Sequence, residues 1–361
     1  LVSFNHSKTV NLLYIMHKTF LIGFILLFQT IIIEAQTYKN LVFEGAGMKG
    51  LAYIGVLEEL EKENVLQHIE KVGGTSSGGI TAMCIALGYT PKEMKDIIYH
   101  TPFKQFNEGK GFFIGGLIRF KKNFGWYKGN KFGEWVEQII VGKTGDSNIT
   151  FEEWIAKGFK PLYVTAASLT KQESVLFSAE TYPKMKVKDA IRVTMSIPFY
   201  FEPVYIDKLG QIVTEPENPN DYNLVVDGGV VENYPIYMFD GVDLNGNKTV
   251  NPETLGVRID RTAQVKNDKQ RKGLAGMPIK NYKDYVTAMY RLMLENLNRQ
   301  NLSEGHWQNT ISIDDGSVGS RVRAVSVEEK EVLLHNGRKA VKDFFRLQQQ
   351  TESLEAQQEE E

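Results

Sequence analysis

Residues 68–88, HIEKVGGTSSGGITAMCIALG, decide how the rest of the chain is read. A short run from His68 to Val72 leads into a glycine-rich turn, and the turn enters ITAMCIALG, whose small and apolar residues suit a buried helix. Strand, turn and helix follow one another without a linker. Within the turn, Gly74-Thr75-Ser76-Ser77-Gly78 has the form G-x-S-x-G, in which a sharp strand-to-helix turn lifts a serine hydroxyl clear of the backbone. Gly74 and Gly78 make the turn sterically possible. The helix that starts there points its positive dipole end at any charge that develops on a reacting oxygen. By itself the pentapeptide is a weak signal, because glycine-rich strand-to-helix loops are common.

A second unit of the same kind precedes it. Asn40 to Phe43 is a short apolar run, Gly45-Ala46-Gly47-Met48-Lys49-Gly50 is a turn, and Leu51, Ile54, Leu57 and Leu60 then recur at helical spacing. Two such units in succession predict an α/β fold with a mainly parallel sheet. Successive N–H groups in the Gly45–Gly50 turn can converge on an oxyanion. The same string fits the G-x-G-x-x-G of dinucleotide sites, with Glu70 as the distant acid, but that reading leaves GTSSG without a role. A third element is NLVVDGGVVENYP at 223–235, an apolar strand that ends in Asp227 and is followed by Gly228 and Gly229. Ligands gather at such strand ends in parallel sheets. A serine nucleophile needs a base, and none of His68, His100, His306 or His335 stands in an evident catalytic setting, which gives the acid at Asp227 its weight.

Further along, KFGEWVEQII reads as a helix, Thr150 with Glu153 as a capping box, and PLYVTAASL with SVLFSA as neighbouring strands. TLGVRID reads as a strand, Tyr282 to Leu302 as a long helix, and Ser326 with Glu329 as the cap of a last helix ending near Leu347. The final QQQTESLEAQQEEE, 348–361, is a polar, acidic tail expected to fray. Residues 111–128 mix six aromatic rings with Arg119, Lys121, Lys122 and Lys128. That mixture suits either a surface dipping into lipid or a loop roofing a pocket.

The N-terminus is read apart. Phe20 to Ile33 is apolar except for Gly23, Gln29 and Thr30, follows His17 and Lys18, and at about 14 residues is shorter than the roughly 20 of a spanning helix. A signal peptide is expected over 1–36, with Ala35 the last residue removed, 1–15 an over-extended start before Met16, and the product exported. An uncleaved anchor is the alternative, since Ile33 is large for its place before the cleavage site. The 361 residues are 42% hydrophobic and 24% charged, an ordinary globular balance, and 42 Lys plus Arg against 44 Asp plus Glu give no basic field for nucleic acid. The single cysteine, Cys84, excludes an internal disulfide and a cysteine zinc cage.

Taken together, the glycine turn, GTSSG and Asp-Gly-Gly, in this order, resemble the patatin-like phospholipase family. GWYKGNKFGEWV (125–136) and AIRVTMSIPFYFEPV (190–204) resemble further family segments, so the likeness runs from Asn40 to Tyr237, with more in the last helix. The resemblance implies a three-layer patatin-like fold with a mainly parallel central sheet flanked by helices, a catalytic domain over 37–240 and a C-terminal extension over 241–347 packed on it. It implies a lipid acyl hydrolase, with Ser76 as nucleophile, Asp227 as base in a two-residue dyad, and Gly45 to Gly50 as oxyanion hole. The substrate would be met at a membrane or micelle surface, and neither metal nor organic cofactor has a task. Where the family has three glycines this chain has Ala46, which keeps the backbone donor but resists a positive φ. Lys49, at the family's basic position, would hold the loop or attract an anionic lipid. Two other readings compete: an α/β-hydrolase esterase using His306, and a lipid-binding protein without turnover. Headgroup, chain preference and oligomeric state are not encoded in these motifs.

Overall fold

Nine strands build the central sheet: β1 (Asn40–Phe43), β2 (Lys71–Gly74), β3 (Leu162–Ser168), β4 (Glu173–Phe177), β5 (Val204–Ile206), β6 (Ile212–Val213), β7 (Asn223–Asp227), β8 (Thr254–Asp260) and β9 (Thr310–Asp314). The structure is a computed structural model that describes residues 37–107, 120–214, 216–218, 221–319 and 325–359. The expected signal segment 1–36 therefore lies outside the described residues, as do residues 111–119 of the aromatic and basic stretch. The strand order is β9-β8-β1-β2-β3-β7-β5-β6, with β4 off this path and paired with Val164–Ser168 of β3. From β9 to β3 all pairs are parallel, and from β3 onward they are antiparallel.

Eight helices matter below: α1 (Ala52–Lys62), α2 (Ser77–Ala86), α3 (Pro91–His100), α4 (Asn130–Thr144), α5 (Phe151–Ala156), α6 (Val187–Thr194), α7 (Tyr282–Gln300) and α8 (Val327–Glu359). Their starts follow local chemistry. Thr90–Glu93 and Thr150–Glu153 are capping boxes, and Ser326 accepts from the Glu329 N–H while Glu329 returns a bond to Ser326. Strands β1 and β8 are buried along their whole length, as expected where helices cover both faces.

Two expectations change. The stretch after 240 does more than pack on a finished unit, because β8 and β9 extend the sheet beside β1, and 38–361 is one compact unit. Helix α8 lies so close to α1 that a Cβ on Gly55 would come within 2.0 Å of the Leu334 carbonyl oxygen, and one on Gly337 within 2.2 Å of that of Ala52. The acidic tail also continues α8 as far as Glu359 instead of fraying at Leu347, which agrees with its helix-favouring Gln, Glu, Leu and Ala content.

Candidate active site

At the C-terminal end of β2 the chain turns so sharply that Ser76 takes φ 54°, ψ −126°, a region that side chains other than glycine avoid. Several bonds hold it there. The Ser76 N–H donates to Thr194 Oγ1 (2.8 Å) at the end of α6, and the Gly78 N–H to the Thr75 carbonyl (2.8 Å). The elbow glycines leave no room for a side chain: a Cβ on Gly74 would stand 2.6 Å from the Gly78 backbone, and one on Gly78 2.4 Å from the Phe43 carbonyl oxygen. The Ser76 hydroxyl is buried and donates to Met195 Sδ at 3.4 Å.

Asp227 reaches the same place by a route that the parallel-sheet reading missed. Its strand β7 is antiparallel to β3, so on a flush sheet its last residue would sit at the wrong end. However, β3 outruns β2: Gly74 is level with Val164, while Asp227 is level with Ala166. The strand descends from Ser168 and stops beside the elbow. There the buried Asp227 Oδ1 accepts the Gly229 N–H (2.8 Å), and its own N–H donates to the Ser196 carbonyl (3.0 Å). Burial pushes the carboxyl up to about 7, against the Gly229 N–H and the Ser76 hydroxyl, both of which favour the ionised form. Gly228 fits against Thr165, whose hydroxyl bonds Thr75 Oγ1 (2.6 Å) and so ties the base loop to the elbow.

In the Gly45–Gly50 turn only part of the backbone is free to receive a ligand. The Gly45 N–H donates to the Asn233 carbonyl (2.9 Å), the Ala46 N–H to Ser77 Oγ (3.0 Å) and the Lys49 N–H to the Ala46 carbonyl (3.2 Å). Gly47 and Met48, the first two residues of the short 3₁₀ helix that includes Gly50, stand where N–H groups have no partner within the helix. Ala46 has φ −134°, so the alanine is unstrained, and the positive φ falls on Gly47 at 55°. Lys49 is buried, with Nζ 3.2 Å from Asp315 Oδ2. It anchors the loop to the turn after β9 and faces no lipid.

Asn233, which the sequence reading passed over as part of a loop closed by Pro235, joins the two halves. Its Nδ2 donates to the Gly45 carbonyl (2.9 Å) and to Glu44 Oε1 (3.2 Å), and its N–H donates to Asn298 Oδ1 (2.8 Å) on α7. A Cβ on Gly45 would lie 2.4 Å, and one on Gly229 2.9 Å, from its Oδ1. The signal available was an asparagine on the same short loop as the acid. Thr194 and Met195 lay in the S-I-P segment, but no local pattern marked them.

Beside Met48 and Met195 opens a cavity of about 80 Å³, lined almost wholly by apolar groups that include Leu51, Ile54, Met94, Phe106, Trp135 and Ile139. Cys84 lies on its wall, its thiol pushed up to about 12 by burial, which makes it a small hydrophobe. On the opposite side of the turn, Glu44 faces the buried Arg258, which stands 3.1 Å from Asp260, 3.5 Å from Glu295, 3.9 Å from Asp268 and 4.0 Å from Glu44 itself. Burial pushes the Glu44 carboxyl up to about 7 against the attraction of Arg258. His306 takes no part: its Nδ1 accepts the Ser303 N–H (3.0 Å), so the Nε2 proton goes to Asp240 Oδ2 at 2.9 Å.

Fold and site together define an α/β protein with a buried serine on a strained elbow, a buried carboxylate beside it and an apolar slot at its side. The chain belongs to the patatin-like phospholipase family, whose model matches residues 41–240. A protein of Acanthamoeba polyphaga mimivirus is 27% identical over 86% of this chain and 94% of its own length, and YqhO of Bacillus subtilis is 25% identical over 86% and 98%. A probable lipid hydrolase of Invertebrate iridescent virus 6 is 27% identical over 56% of this chain and 64% of its own. Among solved structures, VipD from Legionella pneumophila has the same fold, with a TM-score of 0.53 at 16% identity over 85% of this chain and 66% of that one.

Proposed function

We propose that this chain is a lipid acyl hydrolase of phospholipase A or lysophospholipase type, with Ser76 as nucleophile and Asp227 as its base. The observation that carries the reading is the strained Ser76 set against the buried Asp227 carboxyl, beside an apolar slot of acyl-chain character. Asp227 takes the Ser76 proton as the oxygen attacks the ester carbonyl. A carboxyl with a pKa near 7 is a stronger base than an ordinary one and is still about half ionised at neutral pH. The N–H groups of Gly47 and Met48 receive the tetrahedral oxyanion. Asp227 then returns the proton to the leaving alcohol, the acyl group stays on Ser76, and water, activated by the same carboxylate, releases the fatty acid.

The test is fatty acid release from phosphatidylcholine and phosphatidylglycerol liposomes by protein beginning at Gln36. Ser76→Ala and Asp227→Ala are each expected to lower the rate roughly 10³-fold or more. Equal release from all three proteins would sink the assignment. Export is part of the same proposal and is supported by the apolar run Phe20–Ile33. N-terminal sequencing of protein secreted by a host should find Gln36 first, and a retained leader would refute cleavage there.

A further inference from the structure

Helix α7 is amphipathic in the inverted sense. Arg291, Glu295, Asn298 and Arg299, at helical spacing, face the protein: Arg291 and Glu295 each stand 3.5 Å from their partners Asp260 and Arg258, Arg299 stands 2.8 Å from Asp268, and Asn298 receives the Asn233 N–H at 2.8 Å. The opposite face offers Tyr282, Tyr285, Val286, Met289, Leu292 and Met293 to solvent, with exposures from 38% to 82%. A soluble helix normally buries its apolar stripe and exposes its charges. Here the charges are consumed inside, and the apolar stripe is left outside.

The place of this helix decides what the stripe is for. Through Asn298 and Asn233 it is bonded to the loop that carries Gly45 and to the loop that follows Asp227. Tyr290, also on α7 and 51% exposed, has its phenol raised first by burial and then by the Asp227 charge. A second exposed flank is formed by Phe199, 69% exposed, three residues beyond Ser196 and within the strand pair 125–127 and 199–201, and by Phe124, 53% exposed, just before that pair, both at positive φ. Cations accompany both flanks. Lys121 and Lys122 are exposed next to Phe124, and residues 266–280, which lead into α7, expose Lys266, Lys269, Lys272 and Lys280 while their one acid, Asp268, is buried. Among the described residues no helix is long and apolar enough to cross a membrane. A surface that joins aromatic, methionine and leucine side chains to lysines fits the interface of a bilayer carrying anionic lipid.

We propose that the outward face of α7, with Phe124 and Phe199 and the lysines beside each, is the surface by which this protein lies on an anionic membrane. The inference rests on the hydrolase reading for its purpose but not for its test. Flotation of the full chain with phosphatidylcholine vesicles, with and without phosphatidylglycerol, is measured for the native protein, Ser76→Ala and the double variant Leu292→Asp/Met293→Asp. Native protein and Ser76→Ala should bind vesicles containing phosphatidylglycerol alike. The double variant should bind them about 100-fold more weakly, while its hydrolysis of a soluble short-chain ester stays within about twofold of native. Undiminished vesicle binding by the double variant overturns the proposal, as does equal native binding to vesicles without phosphatidylglycerol. A native dimer that the double variant turns into monomer by light scattering, with vesicle binding unchanged, would assign the face to a second copy instead. Vesicle binding without any ester hydrolysis by native protein would sink the catalytic reading and leave the docking surface standing.

Discussion

The Gly45–Gly50 loop lies between two interiors of opposite character. Toward α3 and α4 is the slot of Met94, Phe106, Trp135 and Ile139, in which nothing is charged; toward β8 and α7 is the network of Glu44, Arg258, Asp260, Asp268, Glu295 and Arg299, in which nearly everything is. The apolar side provides room and shape for a chain with no functional groups. The ionic side holds the loop in place, because opposite charges with several fixed hydrogen bonds tolerate little displacement. It is a costly way to make stability, since Arg258 Nε and Asp268 Oδ2 are buried with no hydrogen-bond partner among the described residues. Tyr234 and Trp307 cover the guanidinium, with ring centres 5.8 and 5.2 Å from it.

This contrast can be broken from either side. The largest effect is expected from Arg258→Met, which strands buried carboxylates and should cost about 3–5 kcal/mol in urea unfolding; a loss below about 1 kcal/mol would mean that the network does not hold the loop. Ile139→Ala, on the slot side, should cost about 2–4 kcal/mol and also move the preferred ester toward longer or bulkier chains, a shift that Arg258→Met should not produce. Competition between short-chain and long-chain esters checks this. Asn233→Ala should lower kcat about 30- to 100-fold with KM little changed, because it releases Gly45 without touching the slot; a change confined to KM would contradict the positioning role.

The smallest effect sharpens the same comparison by pH. In the proposed mechanism Asp227 acts in its ionised form, and burial pushes it up to about 7, so kcat/KM should rise about tenfold per pH unit well below 7 and level off above it. Glu44 is pushed to a similar value. The profile of Glu44→Gln therefore isolates Asp227: a break that persists near 7 belongs to the base, and one that vanishes belongs to the ionic side.

What could be read in advance followed the range of the forces. Strand, elbow and helix at 68–88, the capping boxes at Thr90 and Thr150 and the strands at 162–168 and 254–260 are set by residues a few places apart, and each carries a local sequence pattern, Thr90-x-x-Glu93 as much as Thr150-x-x-Glu153. The antiparallel course of β7 had no such marker, because a strand buried on both faces looks the same in either direction. The role of 241–347 was equally hidden: nothing in TLGVRID says that it pairs with Asn40–Phe43.

By itself, then, the sequence determined the α/β class, the elbow at Ser76 and the acid at Asp227, since glycine placement and apolar periodicity act locally. Only the tertiary structure decided that β3 must outrun β2 for Asp227 to meet the elbow, that the Gly45, Ala46 and Lys49 N–H groups are claimed by Asn233, Ser77 and Ala46, that Lys49 pairs inward with Asp315, and that α7 turns its apolar face out. Each of these depends on which distant group claims a donor, a charge or a surface first, and that competition is settled only when the whole chain is packed.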